Sequence, residues 1–92
     1  MGQESLLQAR ILDDLVSMGW VVHKVVLSSK DGWTDIEAFR NKIAIFIECK
    51  APGKKARPLQ EYRHDQLRGQ GFDVLVIDSW PLYQKLKPKY FA

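Results

Sequence analysis

Residues 34–50, Thr34-Asp35-Ile36-Glu37-Ala38-Phe39-Arg40-Asn41-Lys42-Ile43-Ala44-Ile45-Phe46-Ile47-Glu48-Cys49-Lys50, decide the fold. Positions 34–40 alternate as a strand does, Arg40-Asn41-Lys42 reads as a tight turn, and 43–50 is a second strand, apolar until it reaches Glu48. With Asn41-Lys42 as a two-residue hairpin turn, Arg40 faces Ile43, Phe39 faces Ala44, Glu37 faces Phe46 and Asp35 faces Glu48. Lys50, two residues beyond Glu48, shares its face because strand side chains alternate. This register gathers two carboxylates and an ammonium at the open end of a hairpin. A three-residue turn without a compensating bulge would put Asp35 and Glu48 on opposite faces and dissolve the patch.

Outward from the hairpin, residues 4–18 read as a helix, with Leu7, Ile11, Leu15 and Met18 at helical spacing, Leu12 widening the stripe, and Gly19 placed to cap it. Glu4 lies one turn before Leu7 on that stripe, an unusual place for a carboxylate. The β-branched run 20–27 predicts a strand, and Ser28 to Gly32 a loop. Ala51 to Arg57 is a Gly/Pro/Lys loop. Pro58 suits the first turn of a helix running to about Gln70, before Gly71. Phe72–Asp78 reads as a buried strand. The tail from Trp80 is a short helix that Pro88 stops. The order α-β-β-β-α-β gives an α/β fold with one mixed sheet packed against helices, in a single domain spanning 1–92.

A 92-residue chain buries only about two thirds of its unfolded surface, so self-association is expected on stability grounds alone. Nothing resembles a signal peptide or a membrane span, and the lone Cys49 excludes an internal disulfide framework. Both features fit a reducing, cytoplasmic setting. The net charge of +3 is uneven: Lys50, Lys54, Lys55, Arg57, Arg63 and Arg68 face only Glu61 and Asp65 between residues 50 and 68. Such a segment reads as a docking face for an anionic partner, or equally as a solvated loop and helix.

Two carboxylates opposed on a sheet repel each other, and a divalent cation relieves that repulsion. Magnesium favours carboxylate oxygens, water and phosphate, polarises a phosphodiester and acidifies bound water. Lys50 then orients that water or stabilises charge on the phosphate. Lys54, Lys55 and Arg57 precede a helix N-terminus, which favours phosphate and gives sequence-independent nucleic-acid affinity. Trp33, in the loop beside Asp35, is the tryptophan placed for DNA contact. His23 and His64 have no partners at zinc-ligand spacing, and His64 reads as solvated. Cys49 lacks a histidine constellation and reads as a small buried residue. Taken alone, Asp35 reads as the end of a loop, Glu4 as a first-turn glutamate favoured by the helix dipole, and Gln60 as a solvated helix residue.

The ordered set is more specific than its parts. Asp35-x12-Glu48-x-Lys50 on a hairpin between helices resembles the PD-(D/E)xK nuclease superfamily. With the early-helix Glu4, the step Gly32-Trp33-Thr34-Asp35, Phe46-Ile47-Glu48-Cys49-Lys50, the basic loop, Gln60 and the closing strand after Gly71, it is more closely similar to the VRR-NUC family of small virus-type replication and repair nucleases. Thr34 departs from the pattern, which usually has proline before the aspartate. The resemblance implies a restriction-endonuclease-like αβββαβ core. It implies Asp35, Glu48, the Cys49 backbone carbonyl and Glu4 as ligands of Mg²⁺ or Mn²⁺, Lys50 as the catalytic lysine, and Gln60 as a support from the second helix. Lys54, Lys55, Arg57, Arg63 and Trp33 are the expected DNA contacts. The implied activity is structure-selective DNA cleavage, with Holliday junctions or flaps as candidates. The alternatives are a flap or single-strand nicking nuclease and a non-catalytic DNA-binding module. A homodimer would supply two active sites for paired cuts, and the stretch Trp80 to Phe91 is the expected contribution to its interface.

Overall fold

The computed structural model describes residues 2–92. Seven elements follow one another: α1 (Gln3–Ser17), β1 (Val21–Lys24), β2 (Ile36–Arg40), β3 (Ile43–Cys49), α2 (Pro58–Gly69), β4 (Asp73–Ile77) and α3 (Trp80–Tyr90). The four strands form one sheet in the order β1-β2-β3-β4. β1, β2 and β3 are antiparallel, and α2 carries the chain across to β4, which runs parallel to β3. The mixed α/β sheet expected from the sequence is therefore present, with α3 added after β4.

The hairpin turn is the expected one. Asn41 and Lys42 both adopt positive φ, +52° and +67°, as a two-residue turn with the right-handed twist of its strands requires. The register follows: Arg40 pairs with Ile43, Phe39 with Ala44, Glu37 with Phe46 and Ile36 with Ile47. It does not continue in step to Asp35 and Glu48. The Asp35 N–H donates to the Ile47 carbonyl at 3.0 Å, so Asp35 and Ile36 both address Ile47. Two residues against one is the arrangement of a β-bulge, which bends a strand and re-aims its side chains.

Alternation sorts the sheet into two faces. Ile36, Ala38, Ile45, Ile47, Cys49, Leu75 and Ile77 pack on one side against Leu7, Ile11 and Leu15 of α1, Trp20, and Tyr83 and Phe91 from the C-terminal end. The other face carries Phe46, Glu48 and Val74, with His64 of α2 also buried. Trp33 and Phe72 flank Phe46 edge-on, at 6.0 and 5.5 Å between ring centroids.

Two elements differ from the sequence reading. β1 ends at Lys24, leaving Val26 and Leu27 86% and 94% exposed, because opposite them the chain is loop and offers no ladder. Strand propensity without a partner strand does not make a strand. The final helix runs through Pro88 to Tyr90. Proline in the last turn costs one hydrogen bond, and the helix end is held from outside. Trp20 Nε1 and Arg40 both donate to the Phe91 carbonyl, at 3.0 and 3.1 Å, and the Tyr83 hydroxyl donates to Asp14 at 2.7 Å. Within the stretch expected at a dimer interface, Tyr83 and Phe91 are buried in the chain's own core, while Pro81, Gln84, Lys85, Pro88 and Lys89 are exposed.

Candidate active site

Where the regular ladder would place its next rung, the Cys49 N–H donates at 2.8 Å to Asp35 Oδ2. The bulge thus substitutes a side-chain carboxylate for a backbone acceptor and fixes Asp35 at the open end of the hairpin. Glu4, from the first turn of α1, and Glu48, near the end of β3, converge on it. One oxygen from each of the three carboxylates lies within 4.8 Å of the others. Glu48 is 2% exposed, since it sits on the covered face of a central strand.

The two oxygens of Glu48 are in different surroundings. Oε2 faces Lys50 Nζ at 3.2 Å and accepts from Gln60 Nε2 at 3.2 Å. Oε1 is buried and unpartnered. Burial and the neighbouring Asp35 push the Glu48 carboxyl up to about 7, against the opposing pull of Lys50. Burial, followed by the same three carboxylates, pushes the Cys49 thiol up to about 12, which favours its neutral form over the nucleophilic thiolate. Three converging carboxylates with one orphaned buried oxygen suit a hard divalent cation. The backbone carbonyl of Cys49 lies between Glu48 and Lys50 in the chain.

Gln60 stands at the third position of α2 and is held at both ends of its amide. Its Oε1 accepts from the Arg57 N–H at 2.9 Å, half of a capping box, while its Nε2 reaches Glu48. The structure thus brings Gln60, which the resemblance placed at the site, into contact with Glu48. Lys54, Lys55 and Arg57 line an open cleft of about 380 Å³ together with Glu4 and Lys50, so the basic loop borders the site at Glu4 and Lys50. Lys54 and Lys55 also border a second cleft of about 400 Å³, reaching His64, Arg68 and Asp78.

Two of the expected DNA contacts are engaged elsewhere. Arg63 donates to the Asp31 carbonyl at 3.1 Å and to Gln66 at 3.0 Å. Trp33 is half-buried against Phe46, and its Nε1 donates to Glu37 Oε2 at 2.9 Å. Glu37 also meets His23 Nδ1 at 3.1 Å. Its role as the anchor of Trp33 carried no sequence signal. His64 is not the solvated residue it looked: it is 1% exposed, and burial with Arg68 and Lys50 nearby holds its pKa below the usual histidine range.

Thr34, where proline was the expected residue, is buried with its hydroxyl unpartnered. Thr34→Val keeps the shape and removes the orphan group, so it should raise stability by about 1 kcal/mol. A urea midpoint measures this, and a fall in the midpoint would show that the hydroxyl is satisfied in solution.

No protein-family profile matches the chain. It is 33% identical over 81 residues to "Putative nuclease p44" of Acyrthosiphon pisum secondary endosymbiont phage 1, covering 87% of each chain. A solved structure described as a VRR_NUC domain superposes with a TM-score of 0.90 at 24% identity, covering 99% of this chain and 100% of that one.

Proposed function

Because the chain belongs to the VRR-NUC family, we propose that it is a metal-dependent nuclease cutting DNA phosphodiester bonds at the site formed by Glu4, Asp35, Glu48 and Lys50. The observation that carries this reading is the convergence of three carboxylates from separate elements beside a lysine paired to one of them. Structural proteins have no physical need for such a cluster, because its like charges repel.

Glu4, Asp35 and Glu48, with the Cys49 carbonyl, would hold Mg²⁺ or Mn²⁺. The bound ion supplies Lewis acidity toward the phosphodiester and lowers the pKa of a water. Lys50, 11% exposed and paired with Glu48 Oε2, presents its ammonium to the phosphate or the attacking water. Gln60 shares Oε2 with Lys50 and orients the Glu48 carboxylate, whose other oxygen, Oε1, has no partner within the protein and would be free to take part in holding a metal. Lys54, Lys55 and Arg57 hold the DNA backbone along the adjoining cleft by salt-sensitive contacts. Arg63 and Trp33 are weaker candidates, because both already have partners within the chain.

Branched DNA, four-way junctions above all, is the substrate we favour, since no described element is a separate base-reading module and the basic surface is local. Paired cuts require two sites, which a symmetric homodimer of this one domain, residues 1–92, supplies. Val21 and Phe39, paired across β1 and β2 and both exposed, are apolar surface that such a dimer would cover. The setting we infer is the cytoplasm of a bacterial or phage-infected cell. None of the described helices is long and apolar enough to cross a membrane.

The test is cleavage of a synthetic four-way junction beside duplex, flap and single-strand controls, in Mg²⁺, Mn²⁺ and EDTA. Symmetric metal-dependent cuts in the junction support the reading. Cuts confined to flaps or single strands transfer it to a trimming nuclease. Binding without cleavage in either metal leaves a DNA-binding module.

A further inference from the structure

Gly32 lies against the peptide bond that carries Gln60. A Cβ built at Gly32 would stand 3.0 Å from the Leu59 carbonyl oxygen and 3.1 Å from its carbonyl carbon, the acyl half of the Leu59–Gln60 peptide. It would also meet Leu59 Cγ at 3.0 Å. Gly32 has φ +80°, a conformation that L side chains resist. One residue earlier, the Asp31 carbonyl accepts from Arg63 Nε at 3.1 Å, one turn further along α2. The loop before β2 is therefore seamed to the first turns of α2 by a backbone approach and a hydrogen bond.

The seam joins the two halves of the site. Three residues past Gly32 is Asp35, bonded to the Cys49 N–H. One residue past Leu59 is Gln60, bonded to Glu48 Oε2. Apolar packing at this end of α2 is thin: Leu59 and Tyr62 are exposed, and His64 is the only residue of the helix that is buried. We propose that Gly32 and Arg63 are positioning residues, which hold the Leu59–Gln60 peptide at the distance from the hairpin where the Gln60 amide meets Glu48. A side chain at position 32 pushes that peptide outward. Gln60 then leaves Oε2, and the Glu48 carboxylate is free to turn.

The rate measurement rests on the nuclease reading, and the spectroscopic one does not. In ¹⁵N-labelled metal-free protein, Gly32→Ala should move the Gln60 side-chain amide resonances to the position of a free amide. The Cys49 backbone amide, bonded to Asp35, should stay in place. Arg63→Ala introduces no backbone strain and should move the Gln60 resonances in the same direction, which keeps the test open should Gly32→Ala fail to fold. In cleavage, Gly32→Ala should lower kcat roughly 10- to 100-fold with KM unchanged, as a small misplacement within an active site does. In a Gln60→Ala background the same change should cost less than about twofold, because its target is gone. Gln60 resonances unmoved in both variants overturn the proposal. So does a loss from Gly32→Ala that is equal in both backgrounds or confined to KM. If the wild type cleaves nothing while the resonances move as stated, the seam stands and the nuclease reading falls.

Discussion

Glu48→Gln should lower the kcat of the proposed metal-dependent cleavage by about a thousandfold or more and, in the same protein without metal, should raise stability. The first effect follows from removing a charged ligand at an ion whose Lewis acidity contributes several kcal/mol, each 1.36 kcal/mol being tenfold in rate. The second follows from the cost of the charge. Glu48 is buried, one of its oxygens has no partner, and Asp35 stands beside it. Glutamine keeps the volume and an acceptor for Gln60, and removes the charge.

The pH dependence of the second effect has a definite sign. The Glu48 carboxyl is raised from 4.5 to about 7 on folding, so the folded protein holds this proton more tightly than the unfolded chain. Its contribution is fully present below pH 4.5 and is lost as pH rises through 7. At 1.36 kcal/mol per unit, the shift corresponds to roughly 3 kcal/mol. Glu48→Gln should therefore be more stable than the wild type at pH 8 and indistinguishable from it near pH 4.5, by urea denaturation in EDTA. Mg²⁺ should stabilise the wild type at pH 8 and leave Glu48→Gln unaffected. A variant less stable than the wild type at pH 8 would mean that the carboxylate is well satisfied without an ion, and the metal reading would lose its main physical support.

The hairpin was legible because its information is local: Asn41-Lys42 sets the turn, the turn sets the register, and alternation sets the faces. The bulge was not legible. Sequence reasoning brought Asp35 to Glu48 by carrying the register one step too far, and the two meet because Asp35 slips out of step and caps the Cys49 N–H. No residue between 34 and 37 announces a bulge, since Asp and Ile suit a regular strand end as well. Glu4 shows a different limit. Its place on the apolar stripe of α1 was visible, but which partner that stripe meets depends on long-range packing. The fate of Pro88 lay equally out of reach, because contacts from Trp20 and Arg40 to the Phe91 carbonyl, across 71 and 51 residues of sequence, hold the helix end past a local stop signal.

Lys50→Ala should lower kcat by 10²- to 10³-fold, the usual cost of removing one preorganised donor from a site where charge develops. Its effect extends through Glu48. The Lys50 ammonium, 3.2 Å from Oε2, opposes the burial and the Asp35 charge that raise the Glu48 carboxyl. Without it the carboxyl climbs further, and at neutral pH a proton occupies the place a metal ion would take. Lys50→Ala should therefore need more Mg²⁺ for half-maximal rate at pH 7, and the deficit should shrink at pH 9, where the proton no longer competes. The residual loss at pH 9 is the direct part of the lysine's role at the phosphate. Lys50→Arg separates the two parts. It restores the positive charge, and so the metal requirement, but its planar fork does not reproduce a compact ammonium in a site that leaves only 11% of the lysine exposed. Rate should recover less than metal affinity. Recovery of both to wild-type values would show that any cation suffices there and that Lys50 acts solely through Glu48. A Lys50→Ala protein cutting at the wild-type rate would remove Lys50 from the active site altogether.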